Sequence, residues 1–169
     1  MAAEQTGAST QAGASTLSDT ARQEIMRLAG LYEQRRSALL PALFVAQQEA
    51  GYLTPEALAA VAETLDLPLA DVASVASFYS LLYREPVGRH VVQFCTNISC
   101  MLNGCTAVLE RLQERLGIAP GETTADGRFT LRTVECLAAC EEAPALIIDE
   151  DRWARVTPDG VDDLLARYR

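Results

Sequence analysis

Hydrophobic positions in the first half of the chain recur at helical spacing. Ile25, Leu28 and Tyr32 are separated by three and four residues, which predicts a first helix over about 19–32. Three more helices are predicted, over 37–51, 54–65 and 68–79. Gly51 suits a helix end, and Thr54 followed by Pro55 suits a helix start. Residues 18–87 are therefore predicted to form a helical bundle.

The pattern changes near residue 89 to short segments rich in β-branched and aromatic residues. Strands are predicted over 90–94, 129–132, 145–148 and 153–156, with a turn at 149–151. Helices are predicted over 104–116 and, after Thr157 and Pro158, to Tyr168. The order β-α-β-β-β-α around a mixed sheet is typical of a thioredoxin-like domain, here over residues 88–169. The predicted fold class is therefore α+β.

Residues 1–17 contain mostly Ala, Ser, Thr, Gln and Gly without periodic apolar positions, which predicts a disordered tail. The segment has no arginine, unlike a transit peptide, and no basic and apolar leader. No apolar run approaches the roughly 18 residues of a membrane span. The sequence therefore predicts no direct membrane insertion.

Charge and composition exclude several functions. The formal net charge is −9, and all 14 basic residues are arginine, so no basic stripe for nucleic acid is expected. The chain has one histidine, His90, no lysine and no glycine-rich phosphate loop. This inventory argues against a catalytic site on this chain. Any flavin or nucleotide is expected on another subunit.

Four of the five cysteines form two close pairs, Cys95/Cys100 and Cys136/Cys140. A 2Fe-2S cluster has two tetrahedral irons, and each needs two thiolates from the protein. Two separate loops could each supply one pair. The spacing therefore indicates a 2Fe-2S site.

Other uses of paired cysteines stay open at this point. Zinc sites and redox-active dithiols favour C-x2-C, which is absent, and structural disulfides need an oxidising compartment. A zinc-stabilised binding module remains the alternative of a different class. Cys105 is expected to be a small buried hydrophobe. A Rieske centre needs two histidines, so His90 is expected at a strand end, facing solvent or a partner.

Six acidic residues and no basic residue occupy 135–151, namely Glu135, Glu141, Glu142, Asp149, Glu150 and Asp151. They form either a solvated rim or an electrostatic environment that disfavours a reduced, more anionic cluster.

Residues 19–169 resemble a known family, through CTNISCMLNGC at 95–105 and CLAACEEAPALIIDED at 136–151. The chain is similar to the small 2Fe-2S subunit of respiratory NADH:quinone oxidoreductase, complex I. This family also contains small subunits of NAD-reducing hydrogenases and NAD-dependent formate dehydrogenases. The resemblance implies a helical bundle followed by a thioredoxin-like ferredoxin, with Cys95, Cys100, Cys136 and Cys140 as the 2Fe-2S ligands.

The resemblance also implies partners and a location. A larger subunit would bind FMN and NADH, the large iron–sulfur subunit would adjoin it, and the bacterial complex would lie at the cytoplasmic face of the plasma membrane. The family usually has C-L-G-x-C around the third and fourth ligands, whereas this chain has Ala138 in place of the glycine. A positive φ there would cost about 1 kcal/mol or more.

Overall fold

The computed structural model describes residues 17–169, so the predicted tail lies outside the described residues except for Leu17. The chain divides into two compact units, one ending at Glu85 and one spanning Pro86–Arg169. Each described unit has its own apolar core. Leu17 is buried in the core of the first unit, so its assignment to the tail was wrong by that one residue.

The first unit is helical. Its α-helices are α1 (Asp19–Ala29), α2 (Leu39–Ala50), α3 (Pro55–Leu65) and α4 (Leu69–Phe78). Ser18 caps α1 by accepting a hydrogen bond from the backbone of Ala21, and Thr54 caps α3 in the same way. Gly51 ends α2 with a φ of 79°, a left-handed conformation that suits glycine. The predicted helix starts and ends therefore have local chemical causes.

The second unit is built on a four-stranded mixed sheet in the order β2-β1-β3-β4. Its elements are β1 (His90–Cys95), α5 (Ile98–Leu102), α6 (Cys105–Leu116), β2 (Phe129–Val134), β3 (Leu146–Ile148), β4 (Asp151–Trp153) and α7 (Val161–Leu165). β1 is parallel to β2 and antiparallel to β3, which is antiparallel to β4. These elements confirm the predicted α+β class with a mixed sheet.

The register gives the sheet two chemically different ends. At one end Cys95 pairs with Val134, and its backbone N–H donates to the carbonyl of Ala145. At the other end His90 pairs with Phe129. We call these the cysteine end and the histidine end. Cys95 and His90 are five residue steps apart along β1, which corresponds to about 16 Å.

Several local predictions were wrong. The first helix ends at Ala29 and the last at Leu165, short of the predicted 32 and 168. The last strand is Asp151–Trp153 and not 153–156, and it starts early because Asp149, with a φ of 56°, closes a tight hairpin before it. Arg155, with a φ of 51°, leaves the extended conformation after it. The short helix α5, between the first two cysteines, was not predicted.

None of the helices formed by residues 17–169 combines the length and apolar character needed to cross a membrane.

Candidate metal centre

The first cysteine pair is buried at the cysteine end of the sheet. Cys95 is the last residue of β1, and Cys100 lies within α5. Their exposed fractions are 3% and 2%, and the Cys100 thiol hydrogen-bonds to Cys95. The backbone N–H of Ala145 also donates to the Cys100 sulfur. Strand pairing and the turn into α5 therefore bring these two sulfurs together.

The second pair follows β2 and is exposed to solvent. The sulfur atoms of Cys136 and Cys140 are 3.7 Å apart. Two thiolates about 2.3 Å from one tetrahedral metal stand about 3.8 Å apart. The backbone N–H of Ala138 donates to the Cys136 sulfur at 3.4 Å. This loop already has the spacing that two ligands of one metal require.

The two pairs face each other across the β1–β2 junction. The Cys95 thiol donates to the carbonyl of Glu135 at 2.9 Å, directly before Cys136. Cys140 interacts electrostatically with Cys95, and its pKa is raised chiefly by the hydrogen bond with Cys136. Burial raises the pKa of Cys100 to about 11. Iron would therefore have to displace a firmly held proton there, which a thiolate-binding metal does on coordination.

The donor set fits a 2Fe-2S cluster. Four thiols in two pairs match the two irons and the two terminal thiolates on each. Within residues 17–169, no three His, Cys, Asp or Glu side chains converge as a site for one metal ion. Loading a cluster would therefore require the two pairs to move towards each other, whereas the two sulfurs of the Cys136/Cys140 pair are already at ligand spacing.

Cys105 is the fifth thiol near this site. It is the first residue of α6 and is buried in the same core cluster as Cys95 and Cys100. Burial raises its pKa, with a smaller contribution from Cys95. Its burial agrees with the predicted small hydrophobe.

The acidic residues do not all surround the cysteines. Asp149, Glu150 and Asp151 form or flank the turn at the histidine end, because β3 runs antiparallel to β1. At the cysteine end, Glu142 is paired with Arg152 at 3.2 Å and with Arg155 at 3.8 Å. The electrostatic alternative therefore does not apply to four of the six residues, for which the solvated rim is the better description, and Glu135 and Glu141 remain candidates for an electrostatic effect.

His90 has a structural role that the sequence did not indicate. Its Nδ1 lies 2.7 Å from the Oδ2 of Asp149, and its ring packs between Phe129 and Tyr168. Asp149 also accepts the backbone N–H of Val91. The sequence predicted that His90 faces solvent or a partner subunit. In the structure its side chain instead contacts the carboxylate of Asp149, 59 residues further along the chain.

Ala138 adopts a φ of 55°, the conformation for which the family glycine is suited. A non-glycine residue in this conformation costs about 1–2 kcal/mol of folding free energy, which glycine would not. Glycine's extra freedom in the unfolded chain reduces the resulting gain in stability by about 0.4–1 kcal/mol. We predict that Ala138→Gly stabilises the loaded protein by somewhat less than about 1 kcal/mol. Guanidinium titration of the visible cluster absorption would show a raised midpoint.

Ala139→Gly is the matched control, because Ala139 has a φ of −122° and is buried. The same chemical change should lower the midpoint there, since it removes a buried methyl group and adds freedom to the unfolded chain. A midpoint lowered by Ala138→Gly would contradict the strain argument.

Comparison with known proteins identifies relatives over nearly the whole chain. The family model for the thioredoxin-like [2Fe-2S] ferredoxin matches residues 25–169. A NADH-quinone oxidoreductase subunit of Pseudomonas aeruginosa is 45% identical over 152 residues, 90% of this chain and 92% of that protein. Its namesake in Escherichia coli is 41% identical over 159 residues, 94% of this chain and 96% of that protein.

A solved structure supports the same conclusion. The air-oxidised NAD+-reducing [NiFe]-hydrogenase contains a region with a TM-score of 0.64 and 27% identity. The match covers 75% of this chain but only 22% of the hydrogenase chain. The resemblance seen in the sequence and the predicted 2Fe-2S cofactor class are thereby confirmed. The chain belongs to the thioredoxin-like [2Fe-2S] ferredoxin family, among the relatives of these NADH-quinone oxidoreductase subunits.

Proposed function

We propose that Cys95, Cys100, Cys136 and Cys140 bind one 2Fe-2S cluster, and that the chain is the small electron-transfer subunit of a respiratory NADH:quinone oxidoreductase. The single observation that carries the ligand assignment is the 3.7 Å separation of the Cys136 and Cys140 sulfurs. The chain is an oxidoreductase subunit without a catalytic site of its own. When bound, the cluster accepts and donates one electron.

The surrounding residues hold the sulfurs and adjust their electrostatics. Backbone N–H groups of Ala138 and Ala145 donate to the sulfurs of Cys136 and Cys100, and such bonds favour the reduced, more negative form. Burial of Cys95 and Cys100 excludes water from one side of the site. The exposed pair leaves the other side accessible to a redox partner.

Metal and sulfide analysis tests this proposal. Protein purified without oxygen should contain iron and acid-labile sulfide in equal amounts and should be red-brown. After reduction it should give the electron paramagnetic resonance (EPR) spectrum of a 2Fe-2S cluster. Colourless protein that contains stoichiometric zinc and no sulfide would instead support the zinc-stabilised binding module.

The surface that we propose for contact with the partner subunit is the outer face of α5. Ile98, Met101 and Leu102 are 64%, 54% and 77% exposed, and they lie on the helix that carries Cys100. The exposed acid Glu135 contacts Asn97, directly before α5, and the exposed Glu141 directly follows Cys140. A fitting partner presents an uncharged centre and a basic rim. We assign this surface to the larger FMN- and NADH-binding subunit, with the large iron–sulfur subunit adjoining it.

This assembly would place the chain at the cytoplasmic face of the bacterial plasma membrane, attached through its partners. The hydrogenase match supports a second host, an NAD-reducing hydrogenase, for which the same subunit chemistry would serve. An NAD-dependent formate dehydrogenase is the third. Neighbouring genes would distinguish the three, because each host needs a different catalytic subunit.

Glu141 should lower the reduction potential slightly. It is exposed at the cysteine end, where solvent and salt screen its charge. We predict that Glu141→Gln raises the midpoint by on the order of 10 mV at low ionic strength. Glu150→Gln, at the histidine end, removes the same charge and should leave the midpoint unchanged. Equal shifts in an EPR-monitored redox titration would contradict this placement.

A further inference from the structure

Asn97 connects the two cysteine loops through both its backbone and its side chain, beside the contacts of Cys95 and Thr96. Its backbone N–H donates to the carbonyl of Glu135 at 3.2 Å, and its side-chain Nδ2 donates to the Glu135 carboxylate at 3.2 Å. Asn97 lies between the first two cysteines, and Glu135 directly precedes Cys136. A main-chain and a side-chain hydrogen bond therefore connect the same two residues across the site.

Asn97 also organises its own loop. Its Oδ1 accepts the backbone N–H of Ile98 at 2.7 Å at the start of α5, the helix that contains Cys100. The amide group thus uses its oxygen for one cysteine loop and its nitrogen for the other. An amide can accept through its oxygen and donate through its nitrogen at the same time, which a carboxylate cannot do.

We propose that Asn97 is a positioning residue that, through Glu135, sets the distance between the Cys95/Cys100 pair and the Cys136/Cys140 pair. This proposal rests on the proposed cluster site. Beyond the pair Cys95–Val134, backbone N–H groups still donate across the loops, from Thr96 to the carbonyl of Val134 and from Asn97 to that of Glu135, and the Asn97 amide adds a side-chain bond at the residue that precedes Cys136.

A simpler role would be that of a helix cap alone. Aspartate caps as well as asparagine does, so Asn97→Asp would then be neutral. In the positioning role, Asn97→Asp removes the donor and sets two carboxylates against each other. Glu135→Gln keeps an acceptor for Nδ2 and should be nearly neutral. In Asn97→Asp/Glu135→Gln the bond reforms in the reverse direction, with the glutamine amide as the donor.

The test measures the rate of cluster loss in the purified loaded protein, followed by visible absorption in excess iron chelator. We expect loss about tenfold faster in Asn97→Asp, and within about twofold of the parent in Glu135→Gln and in the double variant. The EPR lines should broaden in Asn97→Asp and return to the parental width in the double variant. If Asn97 only caps α5, neither the rate of cluster loss nor the EPR line width should change in Asn97→Asp.

The outcomes separate the two proposals. A parent protein without iron and sulfide would overturn the proposed function itself. If the parent is loaded, a parental rate in Asn97→Asp, or no recovery in the double variant, overturns the positioning role. Should Asn97→Asp not fold or load, a loaded double variant supports the role, whereas failure of both contradicts it.

Discussion

Serine at any one of Cys95, Cys100, Cys136 or Cys140 is expected to remove most of the bound cluster, whereas Cys105→Ser should retain it. Each iron needs two protein thiolates, and a serine hydroxyl is a far poorer ligand for iron at neutral pH. The loss should be largest at Cys95 and Cys100, because their buried surroundings admit no water in place of the missing ligand. Iron and sulfide per chain in the five purified variants is the measurement.

Cys105→Ser is the matched control, since it makes the same change in a buried thiol of the same core cluster. It should cost some stability but no iron. Loss of the cluster in this variant, together with a full cluster in Cys136→Ser, would show that the ligand set has been assigned wrongly.

Leu102→Glu is expected to leave the cluster intact and to slow its reduction by the flavin-bearing partner at least tenfold. Leu102 is 77% exposed, so a charge there is hydrated in the free chain. In a complex, the same charge would be buried in an apolar interface, at a cost of several kcal/mol when unpaired. The measurement is NADH-driven cluster reduction in the reconstituted pair, followed by stopped-flow absorption.

Ala166→Glu adds the same charge to an exposed position after α7, beside Phe129 at the histidine end, and should leave the rate unchanged. A parental rate of cluster reduction in Leu102→Glu would show that the docking surface lies elsewhere. Reduced cluster content in that variant would instead show that α5 is needed to hold Cys100.

The sequence was most informative where chemistry depends on spacing. The paired cysteines and the family resemblance identified the candidate ligands, and the replaced glycine pointed to the positive φ now seen at Ala138. Asn97 carried no such signal. Its importance depends on Glu135, 38 residues away, which becomes a neighbour only after β1 and β2 pair.

The helix α5 escaped prediction for a related reason. It has only five residues, too few to show a repeated pattern of apolar positions at helical spacing. Its residues Ile98, Met101 and Leu102 are apolar but exposed. Apolar patterning predicts which residues a fold buries within itself. It says little about apolar residues that stay exposed, as these three do.

The contrast between one buried and one exposed cysteine pair also bears on how the protein acquires its cofactor. If the proposed ligand set is right, a preformed cluster delivered by a carrier protein would approach from the side of Cys136 and Cys140, because the fold closes over Cys95 and Cys100. The accessible pair would then be the first to exchange ligands with the carrier. The same two thiols, 3.7 Å apart, are the ones that air would oxidise to a disulfide before maturation. Cofactor insertion in vitro should accordingly require a reductant and be blocked by brief alkylation of the exposed pair.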